Sequence, residues 1–161
     1  MKIGVISDTH IPKAALDLPS AVYKEFVNVD LILHAGDFVE ISVLNKLKKL
    51  APVKAVCGNM DVEEIRNILP KKDVVKVKGF KIGIMHGSGP PNGLIKLVKS
   101  EFTNGINVII FGHSHIPCNE RIGKTLFFNP GSPTDTVFAP YNSYGILSLA
   151  GEDITGKIVR I

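Results

Sequence analysis

The chain has 161 residues, 45% of them hydrophobic and 21% charged, proportions that exclude a disordered or fibrous protein and match one globular domain burying roughly two thirds of its unfolded surface. Its formal charge of +4 sits in short scattered lysine groups, such as Lys46, Lys48 and Lys49 and then Lys71 and Lys72, which read as solvated helix faces with a mild preference for anionic ligands. Cys57 and Cys118 form no paired spacing, no window approaches 18 uninterrupted apolar residues, and MKIGVISDTH lacks an export core, so the expected setting is a reducing cytoplasm with no membrane span.

In chain order, the first element is the apolar run KIGVI, a buried strand that stops at SDTH, Ser7 to His10. A helix is expected over about 20–27. DLILH is the next strand and stops at AGD, with Asp37 last. EISVLNKLKKL, about 40–50, places Ile41, Val43, Leu44, Leu47 and Leu50 at helical spacing. VKAVC is a third strand, ending at Gly58 and Asn59, with Cys57 as a small core residue. A helix follows over about 62–68, with Asp61 as its N-cap and Glu64 closing a capping box. KIGIM is a fourth strand that stops at His86 and Gly87. GSGPPNG lacks the spacing of a phosphate-binding loop and leads into a helix over about 92–101, capped by Asn92. VIIF is a fifth strand that stops at GHSH, Gly112 to His115. FFNPGSP, Phe127 to Pro133, has the Pro-Gly signature of a tight turn; a structural role near the site is the first expectation for it and substrate contact the second.

Strands and helices alternate, which predicts an α/β fold. Ligand sites of such sheets form beyond the carboxyl ends of the strands. All five stops lie at that end, so Asp8, His10, Asp37, Asn59, His86, His113 and His115 are expected on one rim, with four of the five histidines among them. In an extended segment His113 and His115, two apart, would share a face. His34, at the end of its own strand, is expected to support the site without binding the ligand directly.

Carboxylate and carboxamide oxygens with imidazole nitrogens suit divalent Mn, Fe, Co, Ni or Zn, and the lack of thiolates argues against a structural zinc or iron–sulfur site. Seven donors crowd a single ion. They suit a pair about 3.5–4 Å apart sharing one carboxylate, which leaves positions for water and a phosphate oxygen.

DTH at Asp8 to His10, GD at Gly36 and Asp37, GN at Gly58 and Asn59, HG at His86 and GHSH at Gly112 to His115 resemble the five blocks of the calcineurin-like metallophosphoesterases, in particular their small phosphodiesterase branch, and cover nearly the whole chain. The resemblance implies a single domain over 1–161, two β-sheets packed as a sandwich and flanked by helices in four αββα layers. It implies that Asp8, His10 and His115 hold one metal and Asn59, His86 and His113 the other, with Asp37 bridging, and that Asp37, Asn59 and His86 are catalytic. It further implies a phosphodiesterase in which a metal-bridging hydroxide attacks phosphorus, Mn or Ni as favoured metals, and small phosphodiesters including nucleotides as substrates; by base rate alone a homodimer or homotetramer is expected. The alternative on the same fold is a protein-interaction scaffold like the retromer subunit. One position departs from the pattern: GNMD replaces the common GNH, and Met60 cannot donate a proton to a leaving group, which points away from alkyl monoesters.

Overall fold

The computed structural model describes residues 1–103 and 105–161. Among the described residues ten strands form two five-stranded sheets. In the first sheet the order is β10 (Asp153–Arg160), β9 (Ser143–Ala150), β1 (Lys2–Ile6), β2 (Leu31–His34), β3 (Val53–Ala55); in the second it is β4 (Lys72–Val77), β5 (Phe80–Met85), β6 (Val108–Ile110), β8 (Thr125–Asn129), β7 (Cys118–Ile122). Strands β1, β2 and β3 run parallel, as do β5, β6 and β8. The remaining strands pair antiparallel: β9 lies between β1 and β10, and β4 and β7 close the two edges of the second sheet. Both sheets are therefore mixed, and the expected two-sheet sandwich is what the chain forms.

Side-chain alternation assigns each layer. Ile3, Val5, Leu31, Leu33 and Leu147 from one sheet meet Ile82, Ile84, Val108, Ile110, Leu126 and Phe128 from the other in the central core. Ile6 and Ile32, on the opposite face of the first sheet, pack under α1 (Ser20–Phe26), α2 (Ile41–Lys48) and α3 (Glu63–Ile68) through Val22, Phe26, Val43, Leu44, Leu47 and Ile65. Ile109 and Phe127 face outward from the second sheet and pack on Leu94 and Val98 of α4 (Leu94–Ser100). The period of two in strands and the i, i+4 spacing in helices thus build four αββα layers.

The five strands and four helices read from sequence are present, the helices one or two residues shorter at some ends. β4, β7, β8, β9 and β10 were not anticipated. β4 has alternating exposure and β7 is mostly exposed, so neither presents the continuous apolar run that marks a buried strand. Two cap expectations fail. Helix α3 is capped at Val62 with no side-chain bond, because Asp61 turns inward; α4 starts after Gly93, whose φ of 95° makes the turn, and Asn92 caps nothing. Among the described residues no helix is long and apolar enough to cross a membrane.

Candidate metal centre

Six parallel strands end on one edge of the sandwich, and each delivers a polar residue there: Asp8 after β1, Asp37 after β2, Asn59 after β3, His86 after β5, His113 and His115 after β6, and Asp135 after β8. The backbone reaches these positions in an uncommon way. Asp8, His10, Asp37, His113 and His115 all have positive φ, between 43° and 68°, a region that non-glycine residues rarely occupy and that concentrates at functional sites. The turns are closed by Asp8 N–H donating to Gly36 O at 3.0 Å and His10 N–H to Asp37 O at 3.1 Å. Two glycines leave room for the carboxylates. A Cβ at Gly58 would strike the Asp37 carboxylate, and one at Gly112 would lie 2.6 Å from Asp8 Oδ2.

Two clusters of donor atoms result, Asp8 with His10 and His115, and Asp8 with Asp37 and His86. Asp8 Oδ1 lies 3.4 Å from His115 Nε2 and 3.8 Å from both His10 Nε2 and His86 Nε2. Asp37 Oδ2 lies 3.2 Å from His86 Nε2 and 3.7 Å from His10 Nε2, so it too reaches histidines of both clusters. His10 Nε2 and His115 Nε2 face each other at 3.1 Å. His113 joins neither cluster: its Nε2 contacts Gly89 O at 3.0 Å, and its Nδ1 faces Asn59 Oδ1 at 3.1 Å. The two histidines of GHSH therefore do not share partners through extended alternation. Both are left-handed, and each ring is carried by the turn to a different neighbour.

On His86 and His115 the ring nitrogen that points away from the clusters is already engaged. His86 Nδ1 donates to Ala35 O at 2.8 Å, and His115 Nδ1 donates to Asp135 Oδ2 at 2.6 Å. Each bond selects the tautomer that leaves Nε2 facing the carboxylates. His86 Nε2 is buried and, among the described residues, has no hydrogen-bond partner, although Asp37 lies nearby. A buried imidazole nitrogen without a partner, set among two carboxylates and two further imidazoles, suits a divalent cation.

Charge follows this geometry. Burial works to lower the His86 pKa, but Asp37 and Asp8 outweigh it and raise the value to about 9. His115 likewise rises to about 9 against its burial, through Asp8 and Asp135. Burial works to raise Asp135, yet the bond from His115 and three backbone N–H groups bring it down to about 2. At His10 burial prevails and the pKa falls. Two neighbouring carboxylates thus hold protons on rings whose nitrogens would serve as metal donors.

His34 stays out of the clusters. It is fully buried, stacked on Phe38 at 3.5 Å, accepts from Gly36 N–H at Nδ1 and contacts Thr9 Oγ1 through Nε2. Burial holds its pKa well below the usual histidine value. Asp61 is buried and accepts backbone N–H groups of Asp37, Val39 and Gly58. It pins the loops that carry Asp37 and Asn59, a more demanding use of a carboxylate than the helix cap expected of it. Cys57 is buried in the core beneath the first sheet.

Sequence reasoning missed Asp135. It lies two residues past FFNPGSP, and the signal that could have found it was the apolar TLFFN before that turn. This is β8, a sixth strand with a polar stop. The turn itself is structural in the manner expected: Ser132 Oγ donates to Asp8 O at 2.7 Å and Asn129 Nδ2 to Gly112 O at 2.9 Å.

Residues 1–152 match the model of the calcineurin-like phosphoesterase superfamily domain. A probable metallophosphoesterase of Methanocaldococcus jannaschii is 45% identical over 164 residues, covering 100% of this chain and 82% of that one. A phosphodiesterase of the same organism is 28% identical over 144 residues, 81% of this chain and 83% of that one. Among solved structures, Vacuolar Protein Sorting 29 from Cryptosporidium parvum superposes with a TM-score of 0.78 at 22% identity, over 99% of this chain and 98% of that one, a likeness of fold.

Proposed function

The chain belongs to the calcineurin-like phosphoesterase superfamily, and from that premise we propose that it is a dimetal-dependent phosphodiesterase with weak or no monoesterase activity. The observation that carries the reading is the keyed pair of imidazoles. His86 and His115 each spend Nδ1 on a fixed acceptor and turn Nε2 toward Asp8, His86 toward Asp37 as well, and among the described residues the His86 nitrogen makes no hydrogen bond. Asp8, His10 and His115 would hold one ion and Asn59, His86 and His113 the other, with Asp37 reaching both. Two divalent ions, Mn or Ni favoured, would supply Lewis acidity at a phosphoryl oxygen and lower the pKa of a water.

The chain's own residues do the rest. Met60 N–H donates to Asp37 Oδ1 at 2.7 Å, and the bonds to Asp61 fix the backbone on both sides of that carboxylate. The Asp37 oxygen near His10 and His86 is thereby held in place. The Met60 side chain lines the cleft at the position where a histidine could protonate a leaving group. Without that acid, esters whose leaving group departs as an anion are favoured, which supports small activated or diester substrates, nucleotides among them, over alkyl monoesters. The two unpaired cysteines suit a cytoplasmic setting, and a small homo-oligomer is the proposed assembly.

The test is hydrolysis of bis-p-nitrophenyl phosphate and p-nitrophenyl phosphate by metal-stripped protein, with each divalent metal restored in turn, beside Asp37→Asn. Metal-dependent diester cleavage that the variant loses is expected. Comparable diester and monoester rates would sink the specificity. No turnover with two ions bound would replace the enzyme by a scaffold.

A further inference from the structure

We propose that the mouth of this centre is a subsite for an aryl group carried on the phosphorus compound, with Phe138 setting the preference; the inference rests on the phosphoesterase reading above. The cleft that contains His10, Asp37, Asn59, His113 and His115 has a volume of about 690 Å³, within the range that takes whole small-molecule ligands and well beyond what one phosphoryl group needs. Its remaining wall is mainly apolar and includes Met60, Ile116, Val137 and Phe138, with Lys13 and Asp135 as its charged residues. The four apolar side chains are 41%, 44%, 76% and 75% exposed. Exposed apolar side chains scattered singly need no explanation, whereas four gathered on the wall of a polar cleft mark a binding surface.

The loop that carries the ring is also tied to the centre. Asp135 accepts the backbone N–H groups of Val137 at 2.9 Å, Phe138 at 3.0 Å and Ala139 at 2.8 Å, and the same carboxylate accepts His115 Nδ1. Phe138 stands edge-on to the His115 imidazole with ring centroids 6.0 Å apart. One carboxylate therefore couples the backbone of the apolar loop to a candidate metal donor, and a ligand bound at His115 meets a ring carried on a loop already fixed by hydrogen bonds. A flat aromatic group gains both buried area and edge or face contacts there that a methyl group lacks. With one lysine on the wall, a polyanionic extension would find little compensating charge.

The test compares calorimetric binding of phenylphosphonate and methylphosphonate to the full chain with manganese added, in the wild type and in Phe138→Ala. We expect phenylphosphonate to bind at least about tenfold more tightly than methylphosphonate, and the substitution to shrink that ratio to about threefold or less. Equal affinities in the wild type, or a ratio that Phe138→Ala leaves unchanged, would overturn the subsite. Sedimentation of the same samples covers a second copy as occupant: a dimer that Phe138→Ala dissociates while the ratio stays put would also overturn it. Turnover of bis-p-nitrophenyl phosphate judges the parent reading separately. An aryl preference without turnover upholds the subsite and removes the diesterase, and turnover without an aryl preference does the reverse.

Discussion

Replacing Asp135 by asparagine should leave the His115 ring in place but weaken its hold on its proton. The amide oxygen can still accept from Nδ1, whereas the negative charge 2.6 Å away is lost. In the metal-free wild type His115 has a pKa of about 9, so at pH 7.5 it carries nearly a full proton that a metal must displace. If the value fell to the ordinary 6.5, the ring would carry about 0.1 proton. Asp8, 3.4 Å from Nε2, remains and retains part of the effect, so the expected drop is between about 0.5 and 0.9 proton. Isothermal titration with manganese in buffers of different ionisation enthalpy counts protons released. Any proton lost from a bound water, or from His86, is common to both proteins and cancels in the difference. The sign is set by competition: because metal and proton share the nitrogen, wild-type affinity should rise with pH up to about 9, and the variant's slope should be shallower from pH 7 upward. A difference below about 0.2 proton would refute the coupling of Asp135 to the centre through His115.

Gly58→Ala should push its new methyl into the Asp37 carboxylate and lower metal-dependent diesterase activity at least about tenfold while the circular dichroism spectrum stays native; undiminished activity would show that the carboxylate can retreat. His34 offers a pH signature. Its folded pKa lies well below the ordinary 6.5, so the unfolded chain binds the extra proton, and the stability from neutral burial is present above pH 6.5 and lost as pH falls below it, by about 1.4 kcal/mol per unit until the folded pKa is reached. Urea unfolding of metal-free wild type and His34→Asn between pH 7.5 and 5 should converge in the acid arm, and a constant gap would count against the assignment. Phe128 is fully buried between the sheets and packs on Gly145 and Gly156; Phe128→Ala should cost about 3–5 kcal/mol in the same assay, and a cost under about 1 kcal/mol would mean the sandwich closes over the gap.

Five apolar runs with polar stops determined, in sequence alone, that Asp8, Asp37, Asn59, His86 and the GHSH histidines would meet at the carboxyl ends of strands, because buried parallel strands advertise themselves as continuous apolar runs and ligand loops follow them. Of the four helices, the one over about 40–50 was legible from the helical spacing of Ile41, Val43, Leu44, Leu47 and Leu50. Edge strands were not. The alternating KDVVKV of β4 and the exposed CNERI of β7 bury little, so their membership is settled by hairpin pairing with β5 and β8, which follow them across two-residue turns. Individual donors were legible too, but their partners were not. That Asp61 would serve three backbone N–H groups instead of a helix, that His113 and His115 would turn to different neighbours, and that Asp135 would reach back twenty residues to orient His115 all depend on left-handed turns and on how the two sheets stack. Ligand types are written in composition and order, while tautomer, proton affinity and the wall around the centre arise only when distant segments are packed together, since each depends on distances of a few ångströms between residues the sequence holds far apart.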